Sequence, residues 1–206
     1  MKKTFIIFAI ILATVALPFS PMLVELATAQ SQPIKEVVKE GDVIFQTSTS
    51  EQSPLIKLAT RSVITHCGII VMKSGKPYVL ETLRTLQLTP LNKFIARGKG
   101  GRYWLKRFEK ENIKIEYAHY MGKPYDLAFS FNNDIYYCSE LVYEIYKKQL
   151  GIELCKPKKI DDYLILCTDK LPKIKKEMKR RGIKKEEYAV APVDVFRSDR
   201  LKFVKQ

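Results

Sequence analysis

The sequence predicts an α+β fold, because it contains a clear antiparallel hairpin and, elsewhere in the chain, a clear amphipathic helix. The strongest strand, Ser62 to Met72, is rich in β-branched residues. A Lys-Ser-Gly-Lys turn follows it, and Pro77 to Glu81 returns as its partner strand. The helix runs from Cys138 to Leu150 with apolar residues at helical spacing, and Gly151 stands where a helix-ending glycine is expected.

The first 29 residues have the pattern of a secretory signal peptide. Two lysines precede an unbroken apolar run, Thr4 to Leu17, and Ala27-Thr28-Ala29 offers a small-x-small cleavage site. The apolar run is shorter than the about 20 residues that a membrane span needs. Because the cleavage site lies well beyond the run, an uncleaved N-terminal membrane tether is the alternative. We expect residues 30–206 to form one exported domain, which is periplasmic, extracellular or at the cell surface.

The remaining elements are short and alternate between strands and helices. The pattern predicts strands at 41–45, 86–88 and 102–108, with closing segments at 188–195 and 201–204. It predicts helices at 53–58, 89–96, 112–121 and 169–182. Ser53 is expected to cap the first of these helices, with Pro54 at its first position.

The chain is basic, with a formal net charge of +14, and 46% of its residues are hydrophobic. An exported protein with this charge suggests an anionic neighbour, such as a cell-wall polymer or a membrane surface. The lysine-rich helix at 169–182 is interpreted first as a solvated face and second as a docking surface for such a polymer. No nucleic-acid motif is present, and the oligomeric state stays open.

Four cysteines occur without any C-x-x-C spacing, so neither a structural zinc site nor any cofactor is predicted. Cys155 and Cys167 flank a loop and are candidates for a disulfide, and Cys67 is interpreted as a core residue. Cys138 differs because it lies in the first turn of a helix, where unpaired N–H groups favour a thiolate. The plainer interpretation of Cys138 is a small buried apolar residue.

The hairpin supplies a candidate base for the Cys138 thiol. A turn centred between residues 74 and 75 places Gly68 opposite Glu81. Since side chains alternate along strands, His66, Gly68 and Glu81 then share one face. A carboxylate that reaches one ring nitrogen fixes the tautomer of a histidine and stabilises its imidazolium. On its own, each of His66 and Glu81 would be interpreted as a structural residue. His119, the other histidine, is interpreted as structural in an exposed helix.

Five segments, taken in order, carry a resemblance: 41–45, 65–69, 80–81, 122–126 and 137–142, with a tail at 191–194. Together they resemble the YiiX-like permuted papain-fold amidases, relatives of the NlpC-type cell-wall peptidases and of the lecithin retinol acyltransferase group. The resemblance implies a circularly permuted papain-like fold, with the cysteine-bearing helix packed on an antiparallel sheet. It implies Cys138 as nucleophile, His66 as general base and acid, and Glu81 as the residue that orients His66.

Several residues in or beside these segments are candidates for lining a cleft: Asp42, Tyr125, Asp126, Tyr137 and Ser139. The resulting prediction is an exported cysteine amidohydrolase or peptidase that forms a thioester intermediate and acts on cell-wall peptide or related amide bonds. One alternative is a lipid or acyl-ester hydrolase or acyltransferase of the same fold. The other is a non-catalytic basic domain that binds an anionic surface polymer.

Overall fold

A six-stranded antiparallel sheet lies at the centre of the structure, a computed structural model that describes residues 21–28, 38–110, 112–131, 133–165 and 171–204. The strands are β1 (Val43–Gln46), β2 (His66–Lys73), β3 (Lys76–Thr82), β4 (Leu86–Pro90), β5 (Trp104–Arg107), β6 (Lys158–Lys159), β7 (Tyr188–Ala189) and β8 (Lys202–Phe203). The order in the main sheet is β4-β3-β2-β1-β5-β8, and β6 and β7 form a separate pair.

Seven α-helices surround the sheet within the described ranges: α1 (Pro21–Ala27), α2 (Ser53–Thr60), α3 (Leu91–Arg97), α4 (Cys138–Ile145), α5 (Ile160–Leu164), α6 (Leu171–Arg181) and α7 (Pro192–Phe196). A wider helical turn, Tyr146–Leu150, continues α4 and ends at Gly151, whose φ is 71°. Helices and antiparallel strands confirm the α+β class. None of the described helices has both the length and the apolarity that crossing a membrane requires.

The β2–β3 hairpin has the register that the sequence predicts. Ile69 pairs with Leu80, one position along from the predicted partners Gly68 and Glu81. Ser74 and Gly75 at the turn have φ values of 50° and 72°. Positive φ at both central residues gives the turn whose twist matches that of the two strands. The turn therefore fixes which side chains of the hairpin share a face.

The two faces of the sheet carry separate apolar clusters. Cys67 and Ile69 of β2 pack with Leu141 of α4 on one face. Ile70 of β2 packs with Phe94 of α3 on the other. The alternation along β2 thus puts Cys67 in the core on the α4 face and His66 on the α3 face, where its ring stacks on that of Phe94.

The prediction of a helix at 112–121 is wrong. Only Ala118–Tyr120 makes a short 3-10 turn, and the preceding residues run without a helix. Ile113, Ile115 and Tyr117 all contact the main core, so the apolar residues recur every second position and not at helical spacing. The backbone N–H of Ile115 donates to the Glu40 carboxylate at 2.8 Å, a contact that takes the place of a helical hydrogen bond.

Two smaller predictions also need correction. Helix α2 begins at Ser53, so the N-cap position belongs to Gln52 and not to Ser53. The Ser53 hydroxyl instead hydrogen-bonds the Thr65 hydroxyl inside the protein, at 2.8 Å. Strand β2 starts at His66 and not at residue 62, since the Val63 N–H donates to the Glu25 carboxylate at 3.0 Å. The predicted disulfide involves Cys167, which lies outside the described residues.

Part of the predicted signal segment packs on the domain. Glu25 of α1 is only 3% exposed. Its carboxylate accepts hydrogen bonds from the Ser62 hydroxyl at 2.7 Å and from Arg197 at 3.0 Å. The buried indole N–H of Trp104 donates to the Glu25 carbonyl at 2.8 Å. Helix α1 is thus hydrogen-bonded to the sheet domain through both the side chain and the backbone of Glu25.

Candidate active site

Cys138 is the first residue of α4, as the sequence predicts, and is 2% exposed. The preceding residue, Tyr137, has extended backbone, so the chain turns into the helix directly at the cysteine. Two contacts with Val190 hold this point: the Ser139 hydroxyl donates to the Val190 carbonyl at 2.6 Å, and the Val190 N–H donates to the Tyr137 hydroxyl at 2.9 Å. The helix start is therefore fixed, with the thiol at its positive end.

His66 and Glu81 are hydrogen-bonded to each other. His66 Nε2 lies 2.6 Å from Glu81 Oε2, and both side chains are buried. With Nε2 on the carboxylate, Nδ1 is the ring nitrogen left for the Cys138 thiol. Gly68 makes this approach feasible, because a Cβ there would lie 2.7 Å from the Leu80 carbonyl oxygen and 3.2 Å from the Glu81 Cβ. The shared face predicted from the hairpin thus brings the imidazole and the carboxylate together.

Arg97 is a further member of this site that sequence reasoning missed. Its Nη2 donates to both carboxylate oxygens of Glu81, at 2.7 and 2.6 Å. Burial alone would raise the pKa of Glu81, but hydrogen bonds and charge from His66 and Arg97 lower it to about 2. Glu81 is therefore a carboxylate at any working pH. Arg97 ends α3 and is distant from Glu81 in the sequence, so no spacing rule connects the two residues.

The pKa of His66 is raised to about 9. Burial opposes this shift, but the charge and hydrogen bond of Cys138, followed by those of Glu81, outweigh it. The imidazole is therefore protonated near neutral pH. It is paired on one side with the Glu81 carboxylate and on the other with the Cys138 thiolate.

The pKa of Cys138 is lowered well below its usual range, and the largest cause is a hydrogen bond from the Cys67 thiol. Burial opposes the shift, whereas the charge and hydrogen bond of His66 support it. Burial keeps the pKa of Cys67 high, so Cys67 stays a neutral donor. The sequence interpretation of Cys67 as a core residue is correct but incomplete, because its thiol also contacts the candidate nucleophile.

Replacing Cys67 with alanine should raise the pKa of Cys138, because the thiolate loses its largest stabilising contact. We expect the midpoint of iodoacetamide labelling of Cys138 to move to higher pH, as followed by mass spectrometry. Cys67→Ser keeps a donor and should restore part of the shift, whereas Cys155→Ala is the control that changes nothing. An unchanged midpoint in a folded Cys67→Ala protein would remove Cys67 from the site.

A cavity adjoins Cys138, and the volume within it that a water-sized molecule can occupy is about 100 Å³. Three of the predicted cleft residues line it: Tyr125, Tyr137 and Ser139. Asp42 and Asp126 are not among the residues that line this cavity. Asp42 is used in a buried ion pair with Arg107, with the closest atoms 2.7 Å apart. The Asp126 carboxylate instead accepts backbone N–H groups of the loop that follows it, at residues 128 and 130.

His119 lies away from these residues. Its side chain is exposed and contacts the ring of the neighbouring Tyr120. It does not line the cavity beside Cys138. This placement agrees with the interpretation of His119 as structural, although the helix expected around it is absent.

Comparison with known proteins identifies relatives of this chain. The family described as permuted papain-like amidase enzyme, YaeF/YiiX, C92 family, matches residues 37–205. The uncharacterized protein YiiX of Escherichia coli strain K12 is 36% identical in an alignment of 168 residues that covers 78% of this chain and 83% of YiiX. A crystal structure described as metalloprotein yiiX of Escherichia coli O157:H7 matches with a TM-score of 0.72 and 36% identity, covering 82% of this chain and 97% of that one.

The word metalloprotein in that description raises the question of whether this chain has a metal site. Within the part of the chain that the structure describes, no group of three or more His, Cys, Asp or Glu side chains is placed to hold an ion. The Glu81 oxygens are already used by His66 and Arg97.

Proposed function

The chain belongs to the C92 family of permuted papain-like amidases, and on this premise we propose that it is a cysteine amidase whose nucleophile is the Cys138 thiolate. One observation carries the proposal. A thiol with a lowered pKa stands at a helix start, next to a protonated histidine that is itself bonded to a carboxylate. Nucleophile, acid–base group and orienting group are the three components that thiol acyl transfer needs.

The first half-reaction forms a thioester. The Cys138 sulfur attacks the carbonyl carbon of the amide, and the carbonyl oxygen becomes an oxyanion. The backbone N–H of Cys138, at the start of α4, is the proposed donor to that oxyanion. His66 gives its proton to the leaving amine as the C–N bond breaks, which leaves an acyl-thioester on Cys138 and a neutral imidazole.

The second half-reaction hydrolyses the thioester. Neutral His66 takes a proton from water, and the resulting hydroxide adds to the thioester carbonyl. The C–S bond then breaks, releasing the acid and restoring the thiolate and imidazolium. Throughout both steps Glu81, itself held by Arg97, keeps the imidazole in one tautomer and orientation.

Export and substrate are proposals that extend this chemistry. The signal-like N-terminus supports an exported enzyme, and the basic charge supports an anionic partner such as a cell-wall polymer or a membrane surface. Two substrate classes follow from the sequence: an amide in a cell-wall peptide and an acyl group carried by a lipid.

The pH dependence of turnover tests the proposed function. Protonated His66 is the acid of the first half-reaction, and because its pKa is about 9 the active form is present below that pH and lost above it. We expect kcat/KM on a panel of amides and esters to fall above about pH 9. A rate that stays constant through pH 10 would contradict the role of His66 as the acid. Absence of any turnover, together with an unreactive Cys138, would contradict the amidase itself.

A further inference from the structure

Another polar side chain lies beside His66, and the chemistry above does not use it. Gln46 is the last residue of β1 and stands directly opposite His66 in the pairing of β1 with β2. Residues that are directly opposite each other in an antiparallel pair project from the same face, with Cβ atoms about 4.5–5.5 Å apart. Gln46 therefore shares the α3 face of the sheet with His66 and is its immediate neighbour there.

The carboxamide of Gln46 is buried without a protein partner. The residue is only 1% exposed. Neither Nε2 nor Oε1 has a hydrogen-bond partner among the described residues, whereas the Gln46 backbone carbonyl accepts from the Thr65 N–H at 3.1 Å. A buried amide that is unpaired through both atoms costs stability, so an apolar side chain of the same size would be more stable in this place. The amide therefore calls for a partner that the folded chain does not itself provide.

The end of α3 leaves room for this carboxamide. Gly98 directly follows α3, and a Cβ at residue 98 would lie 2.5 Å from Gln46 Oε1. The carboxamide thus fills the space that a side chain at residue 98 would occupy. The residue before Gly98 is Arg97, which donates to the Glu81 carboxylate. The amide therefore lies next to the residues that orient the imidazole of His66.

The second half-reaction supplies a partner of the right kind. A carboxamide offers two N–H donors and one accepting oxygen, so it pairs best with a group that both donates and accepts. In the resting enzyme Glu81 and the Cys138 thiolate occupy the two ring nitrogens of His66. Once Cys138 is acylated, one of these nitrogens is free, and a water molecule must be held beside it. Water both donates and accepts, and it is small enough to reach a side chain as buried as Gln46.

We propose that Gln46 holds the water that hydrolyses the acyl-enzyme. The carboxamide oxygen accepts one O–H of this water, and the other O–H donates to the free nitrogen of His66. His66 takes that proton as the water oxygen bonds to the thioester carbonyl carbon. The C–S bond then breaks, its electron pair returns to sulfur, and the acid leaves with the remaining proton of the water. The inference rests on the proposed function and names the residue that positions its second reactant.

Acetylation of Cys138 by p-nitrophenyl acetate separates the two half-reactions. With the enzyme in excess over the ester, release of p-nitrophenolate measures acylation, and mass spectrometry then follows the loss of the acetyl group from the cysteine. Gln46→Met keeps an unbranched side chain of similar length but has no amide. We expect acylation within about twofold of that of the unaltered protein, and an acetyl group that persists about 10-fold longer or more, the effect of one hydrogen bond lost from a transition state.

Three further measurements serve as controls. Gln149→Met removes an amide near the far end of the segment that begins at Cys138, where it hydrogen-bonds Glu116, and should change neither half-reaction. Hydroxylamine attacks thioesters without a general base, so it should release the acetyl group equally fast from Gln46→Met and from the unaltered protein. The Tm of Gln46→Met should equal or exceed that of the unaltered protein, because two unpaired buried atoms are removed.

The outcomes separate this inference from the proposed function. Equal persistence of the acetyl group in Gln46→Met and Gln149→Met would overturn the water site and leave the amidase standing. Slower acylation together with slower release by hydroxylamine would also overturn it, because the amide would then act on the oxyanion. A lower Tm with both half-reactions slowed would make Gln46 a structural residue. If Cys138 of the unaltered protein takes up no acetyl group, the proposed function itself fails.

Discussion

Cys138→Ala is expected to reduce amide turnover by about 10⁴-fold or more, to the background rate, because no other group can form the thioester. The fold should survive, since the change removes one sulfur atom from a helix start that Ser139 and Tyr137 hold through Val190. Steady-state kinetics and thermal unfolding of the same preparation check both statements. Cys155→Ala is the matched control and should keep full activity.

A Cys138→Ala protein that remains folded and retains more than a few per cent of the activity would contradict the nucleophile assignment. In that case the lowered pKa of Cys138 would describe a structural thiol and not a catalytic one. A protein that fails to fold is distinguished by its lost unfolding transition. Cys138→Ser then gives a second test, because serine retains the size of the side chain but is not a thiolate.

His66→Gln is expected to lower kcat/KM by about 10²- to 10⁴-fold, the usual contribution of a positioned acid–base group. It should also move the labelling midpoint of Cys138 to higher pH, because the thiolate loses the imidazolium charge. Glu81→Gln should lower kcat/KM by a smaller factor, since glutamine preserves the shape of the side chain and can still accept a hydrogen bond from Arg97. His119→Gln is the exposed histidine control and should change neither quantity.

The relative losses of activity in His66→Gln and Glu81→Gln distinguish a catalytic role of the pair from a purely structural one. Glu81 is buried and bonded to both His66 and Arg97, so its replacement is also expected to lower Tm. If His66→Gln and Glu81→Gln lost stability equally and the labelling midpoint stayed where it was, the pair would be a buried structural contact. The pH dependence of labelling thus provides a measurement that a purely structural role would not change.

The parts of the site that follow local rules could be predicted from the sequence. The four-residue turn fixes the register of β2 and β3, and side-chain alternation then puts His66 and Glu81 on one face. Helical spacing and Gly151 place Cys138 at the start of α4. The family resemblance, drawn from five short segments in order, is confirmed by the match over residues 37–205.

The remaining parts depend on contacts between distant residues, which no local rule supplies. Arg97 reaches Glu81 from the end of α3, and Cys67 touches Cys138 because α4 packs on that face of β2. The helix expected at 112–121 is absent because its apolar residues recur every second position, which is the period of an extended chain and not of a helix. Helix α1 lies in the predicted signal segment, and nothing in its own sequence indicates that the Glu25 carbonyl accepts a hydrogen bond from Trp104.

Iodoacetamide labelling across pH, with mass spectrometry to locate the modified residue, tests the central claim that Cys138 is an activated thiolate paired with His66. The structure predicts selective labelling of Cys138 well below pH 8, where an ordinary thiol with a pKa of about 8.5 is mostly protonated. It also predicts that the labelling midpoint shifts upward in His66→Gln. Labelling of Cys138 no faster than an ordinary thiol, or its recovery in a disulfide, would contradict the claim.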